Sequence, residues 1–207
     1  MTIAENVHEF IEQQRRAVAQ NPECGNSHYN LAIGLLGLKR YEEAERELLE
    51  AIENSPTLAE AYVQLGGISL QRGDLDGCLG WNKKAVHARA GFSEGWGNIG
   101  FVHMQQGNLE EAIYALEKAT RWNPKFVQAL TTLANAYLAN GEVEESINTG
   151  LKVLDLEPDF AVAHNNLAVA YLESGQYADA DRHCTKALAL GYDVLPELQD
   201  EIRKHLG

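Results

Sequence analysis

Apolar positions recur along this chain with two periods, one nested inside the other. Within residues 26–38, His28, Leu31, Ala32 and Leu35 fall at i, i+3, i+4 and i+7, the stripe of a helix with one buried face. Residues 41–54 repeat the device with Ala44, Leu48 and Ala51, and Pro56 then stops the helix. The longer period is 34 residues: Leu31, Leu65, Ile99, Leu133 and Leu167 stand in register, as do Gly73, Gly107, Gly141 and Gly175. Prolines keep the same step at Pro22, Pro56, Pro124 and Pro158, with Ala90 in the gap. The pattern predicts five units, 25–58, 59–92, 93–126, 127–160 and 161–194, each a helix A, a tight turn and a helix B. Residues 1–24 supply a B-like helix over Ile3–Gln20, and 194–207 a capping helix with Leu198 and Ile202 on one stripe and Glu201 in place of an apolar residue. That makes twelve helices in a single array, in which each unit buries its apolar face only against its neighbours.

The residues at fixed offsets resemble the tetratricopeptide repeat. The third unit carries that pattern as Trp96, Ile99-Gly100, Gly107, Ala112, Leu116, Ala119 and Pro124. The fifth carries it as His164, Leu167-Ala168, Tyr171, Gly175, Ala180, Cys184 and Ala187. The likeness covers about 170 of the 207 residues, with local departures at Lys39, Ala90, Gly150 and Tyr192. It implies an all-α right-handed superhelix, an α-solenoid, whose A helices line a concave face.

Charge narrows the partners. The formal net charge of −13 argues against nucleic acid, which needs a basic face, and favours basic peptides or basic protein surfaces. Cys24, Cys78 and Cys184 show no metal-ligand spacing and suit a reducing compartment, with Cys78 read as a small core residue. Residues 1–10 lack the basic and apolar regions of a signal peptide, and no apolar run approaches a membrane span. The expected location is cytoplasmic, without membrane insertion.

Charges also separate the two helix types. Over 14 residues each, the five A helices carry only Glu60, Arg72, Glu94 and Glu173, whereas the five B helices carry 23 charged residues. An A helix therefore has a second, uncharged face opposite its core stripe. As a peptide-binding groove this face offers Tyr29, Asn30, Ile33, Val63, Gln64, Asn98, Phe101, Met104, Asn135, Asn165, Asn166 and Val169. Phe101 and Met104 form the expected apolar anchor, with Gly67 and Gly97 making room, while Leu36, Leu70, Leu138 and Leu172 are expected to pack between A helices. Asn30, Gln64, Asn98, Thr132 and Asn166 recur at one offset, and amides can both donate to and accept from a peptide backbone. The row is similar to the asparagine ladder of the O-GlcNAc transferase superhelix, although partial and without a catalytic domain. No Lys or Arg stands on this face, so a clamp for a chaperone's C-terminal carboxylate is not expected. Glu60, Glu94 and Glu173 suit a guest with some basic residues.

No catalytic, cofactor or metal motif is found; His28, His103 and His164 read as core histidines. The expected function is a non-enzymatic protein-protein interaction module or scaffold that holds a segment of a partner in its groove. The alternative is a self-assembling protein whose terminal helix lies in a neighbour's groove. A homodimer through Ile3, Val7 and Ile11 belongs to that second class.

Overall fold

The computed structural model describes the backbone of residues 3–207 and side chains from Asn6 onward, so the expectation placed on Ile3 lies outside the described side chains. The described residues form twelve helices: α1 (Ile3–Gln20), α2 (Gly25–Gly37), α3 (Tyr41–Asn54), α4 (Ala59–Gln71), α5 (Leu75–Ala88), α6 (Ser93–Gln105), α7 (Leu109–Trp122), α8 (Val127–Ala139), α9 (Val143–Leu156), α10 (Ala161–Glu173), α11 (Tyr177–Ala189) and α12 (Pro196–Leu206). The even-numbered helices α2 to α10 are the A helices and the odd-numbered α3 to α11 the B helices. The chain divides into two compact units, one ending at Ile99 and one beginning at Gly100.

Each A-to-B turn closes in the same way. The amide three residues beyond the helix bonds back five residues, as in Arg40 N–H to Leu35 O, Asp74 to Ser69, Asn108 to His103, Glu142 to Tyr137 and Gln176 to Tyr171. This cap needs a residue with positive φ. Gly73, Gly107, Gly141 and Gly175 supply it at 75–81°, and Lys39 takes it at 58° in the first turn, where a side chain carries strain.

In the first unit Ile11, Leu31, Leu35, Leu48, Leu65 and Ile68 make the core, each at most 3% exposed. Ile11 ties α1 onto α2, and Val7 packs partly buried beside it. In the second unit Ile147, Leu167, Tyr171, Cys184, Val194 and Ile202 form the corresponding cluster, with Leu198 against it. Among the described side chains, Val7 and Ile11 of α1 and Leu198 and Ile202 of α12 thus pack inside their own units. Burying one such Leu fully is worth about 1.5–3 kcal/mol. At Gly150 a Cβ would come within 2.9 Å of Leu167, which explains why the large residue of other B helices, Leu48 or Leu116, is absent there. Cys78 is 2% exposed, and burial pushes its thiol up, as expected of a core residue.

Candidate functional site

The second face of the A helices is neither fully buried nor fully open. In the first unit Asn30 is exposed, while Tyr29, Ile33, Val63, Gln64 and Asn98 are half-buried. Burial, and then the charge of Glu60, pushes the Tyr29 phenol up, so it is a neutral donor at physiological pH. In the second unit Phe101 is 37% exposed and Met104, Asn135, Asn165, Asn166 and Val169 are half-buried. Of the apolar residues expected to pack, Leu36, Leu138 and Leu172 join the two cores, but Leu70 stays 37% exposed. A Cβ at Gly67 would meet nothing within 4 Å, whereas Gly97 is buried.

The amide row is tied inward in places. Asn98 Nδ2 donates to Asn82 Oδ1 at 3.0 Å, and Asn82, fully buried on α5, donates in turn to Cys78 O at 2.8 Å. Asn166 Nδ2 donates to Asn135 Oδ1 at 2.7 Å, and Asn165 reaches Asn166 Oδ1 at 3.4 Å. Thr132 turns its hydroxyl onto Gln128 O of its own helix at 2.9 Å. The structure therefore brings Asn135, Asn165 and Asn166 together in one chain of amides. Such bonds fix each side chain's orientation while a primary amide keeps further donor and acceptor capacity.

Glu60 on this face and Arg72 at the end of α4 are both already paired. Glu60 binds Arg89 at 2.5 Å, and Arg72 binds Glu45 at 2.6 Å. Burial raises the Glu60 carboxyl, but the Arg89 guanidinium outweighs it and holds the group below its usual range.

A second set of residues occupies the fourth position of each A helix, where the sequence placed His28, Trp96 and His164 in the core, and position seven of the following B helix, which the sequence analysis did not single out. His28 places Nε2 2.9 Å from Pro22 O and Nδ1 2.7 Å from Glu47 Oε2. Trp96 donates Nε1–H to Ala90 O at 3.1 Å. His164 places Nε2 3.0 Å from Pro158 O and Nδ1 2.9 Å from Nδ1 of His183. In all three an aromatic N–H reaches the carbonyl six residues earlier, pinning the helix to the turn that precedes it. Tyr62 and Trp81 hold the equivalent places in the second repeat, with ring centroids 6.2 Å apart. His28 and His164 are thus core histidines, 6% and 7% exposed, while His103 is half-buried.

The His164–His183 contact fixes its own tautomers. Because Pro158 O only accepts, His164 carries its proton on Nε2, and its Nδ1 accepts from the Nδ1–H of His183. His183 Nε2 faces Arg182 Nη2 at 3.4 Å, again as acceptor. Burial, then the electrostatic interaction with His164 and with the Arg182 guanidinium, lowers His183 to about 4. The ring also stacks on Tyr171, 5.4 Å between centroids at 18°. The signal that could have found this pair is its 19-residue spacing, which repeats His28–Glu47 one hundred and thirty-six residues later.

Among the described residues no group of three or more His, Cys, Asp or Glu is placed to hold a metal, and no helix is long and apolar enough to cross a membrane.

Several solved structures share this arrangement. YrrB, described as a TPR protein with an unusual peptide-binding site, is 20% identical over 94% of this chain and 99% of its own, with a TM-score of 0.76. MamA from Desulfovibrio magneticus RS-1 is 23% identical over 81% of this chain and 94% of its own, at a TM-score of 0.71. A chain of the APC/C hetero-tetramer Cut9–Hcn1 is 16% identical, covering 99% of this chain and 40% of its own, at 0.76. At these identities the likeness shows the fold alone. No curated protein matches the sequence. Models of the tetratricopeptide repeat match residues 11–59, 29–93, 103–149, 134–175 and 161–193, touching both units. By its 34-residue period, its helical hairpins and these matches, the chain belongs to the tetratricopeptide repeat family.

Proposed function

We propose that this protein is a non-enzymatic interaction module that holds a peptide segment of a partner along the second face of its A helices. The observation that carries this reading is the chemistry of that face. Five A helices hold three charged residues between them, Glu60, Glu94 and Glu173, yet they present half-exposed amides and an exposed Phe101 beside Met104. Amides held by internal hydrogen bonds are pre-oriented, which lowers the ordering cost of binding a backbone. Phe101 and Met104 give an apolar anchor of the kind that dominates interface energies. YrrB, whose fold this chain shares, is described as peptide-binding, and that lends weight without deciding the site. A partner held on one such face is expected at micromolar affinity.

Self-assembly through a terminal helix has less support. It would need α1 or α12 to present an apolar stripe, and Ile11 and Ile202 are 2% and 1% exposed within their own units.

The test is affinity capture from the source lysate, comparing wild type with Asn30→Ala and Phe101→Ala variants that melt normally. Partners lost from both variants support the A-helix face. Partners kept by both place binding elsewhere and sink this assignment.

A further inference from the structure

Four repeats carry a lysine at one offset of helix B: Lys84, Lys118, Lys152 and Lys186. Three of the four are engaged. Lys84 lies over the Trp81 ring at 4.1 Å, and Lys118 over Tyr114 at 5.2 Å. Lys186 binds the Asp159 carboxylate at 2.8 Å. Lys152 has neither kind of partner among the described residues, because each position that supplies one elsewhere has changed. Thr149 stands where the second repeat has Trp81, Asn148 where the third has Tyr114, and the cation Lys125 where the fifth has Asp159.

Lys152 borders a cleft of about 410 Å³ within the second unit, together with Glu117, Arg121, Pro124, Leu130 and Thr149. Arg121, like Lys152, has no ion-pair partner among the described residues, in a chain whose net charge is −13. Thr149 is 5% exposed, yet its hydroxyl makes no hydrogen bond among the described residues. Thr120, Thr131 and Thr132 each turn theirs onto a carbonyl of their own helix. A buried hydroxyl without an acceptor at the wall of a cleft is a donor for whatever enters it. The cleft of equal volume at Pro56 differs here: Trp81 fills the counterpart of Thr149 and already holds Lys84, so surface cations stand there without a buried donor.

Charge selects the guest. Arg121 and Lys152 are positive, and Glu117, which accepts from the Tyr137 hydroxyl at 2.8 Å, is negative. The single positive charge left over matches one carboxylate, while Glu117 repels a dianion such as phosphate. The fifth repeat shows the same pairing made internally, by Asp159 on Lys186.

We propose that this cleft is a binding site for a single carboxylate on a short apolar stem, held between Arg121 and Lys152 with the Thr149 hydroxyl donating to it and Pro124 and Leu130 along the stem. An acidic side chain of a partner polypeptide and a free monocarboxylic acid share this chemistry. The site is separate from the second face of the A helices and stands whether or not that face binds a peptide.

The probes are N-acetyl-glutamic acid α-amide and butyrate, each titrated at low salt into the ¹⁵N-labelled protein and followed by backbone amide shifts. Saturable shifts at Arg121, Thr149 and Lys152 are expected, with a dissociation constant on the order of 1–10 mM that rises in about 0.3 M NaCl. The neutral isostere N-acetyl-glutamine amide should not bind. Lys152→Gln, at an exposed position, should abolish the shifts, and Thr149→Val, which keeps the volume, should weaken binding roughly 2- to 10-fold. Glu117→Gln keeps an acceptor for Tyr137 and should tighten carboxylate binding. Whichever probe binds more tightly names the source, blocked amino acid for a polypeptide and butyrate for a free acid; both outcomes support the carboxylate site. Absence of saturable shifts, equal binding of the glutamine amide, tighter binding of phosphate than of either probe, or unchanged binding by folded Lys152→Gln and Thr149→Val overturns the proposal.

Discussion

The first and fifth repeats hold the same histidine on the same carbonyl and set different groups against its other nitrogen. His28 faces the Glu47 carboxylate at 2.7 Å; His164 faces the imidazole of His183 at 2.9 Å. Both of His28's partners, the Pro22 carbonyl and the Glu47 carboxylate, only accept, so a neutral ring with one N–H donates to one of them at a time. A second imidazole forms the bond only while one nitrogen of the pair donates and the other accepts. A proton added to His183 lands on Nε2, which faces Arg182, so the fifth repeat meets acid with charge against charge. The lesson is that a repeat position constrains shape and one hydrogen bond while leaving the electrostatics to the partner.

The largest expected effect tests packing in the same two repeats. Leu48, fully buried in the first, is the counterpart of Cys184 in the fifth. Leu48→Ala should cost about 2–5 kcal/mol in chemical denaturation, through lost burial and the cavity left behind. Cys184→Ala removes a smaller side chain and should cost clearly less.

Next comes pH. His183 is held at about 4 against 6.5 when unfolded, so the unfolded chain binds the extra proton. Stability from this group is complete above about pH 6.5 and is lost as pH falls toward 4. The full loss is about 3 kcal/mol, an order-of-magnitude figure for a group only 5% exposed. His183→Gln keeps a donor for His164 and does not titrate; denaturation at pH 7 and pH 4.5 should show this part of the acid loss gone. An unchanged acid slope in the variant would mean that His183 is not its source.

A smaller step is Glu47→Gln in the first repeat. It keeps an acceptor for His28 but removes the charge, and should cost about 1 kcal/mol at pH 7. The smallest effect lies in the turns. Lys39→Gly relieves a left-handed non-glycine and should gain at most about 1 kcal/mol, while Gly175→Lys should lose about as much.

The repeat register, the helix bounds and the role of the turn glycines were legible because each follows from spacing alone. Lys39 was visible as a departure, and its positive φ follows from the cap every other turn makes with Gly. The inward ties of Asn98 and Asn166 were not legible. Their partners, Asn82 and Asn135, lie 16 and 31 residues away at positions where other repeats carry different types. Glu60 read as a charge open to a guest because its pairing with Arg89 depends on a side chain beyond the end of α5.

The most direct test of the peptide-holding reading is hydrogen exchange on the protein alone and with its captured partner. The account predicts added protection concentrated in the A helices α2, α4, α6, α8 and α10, on the face that carries Asn30, Phe101 and Asn166. Protection confined to the charged B helices, or to α1 and α12, would contradict it.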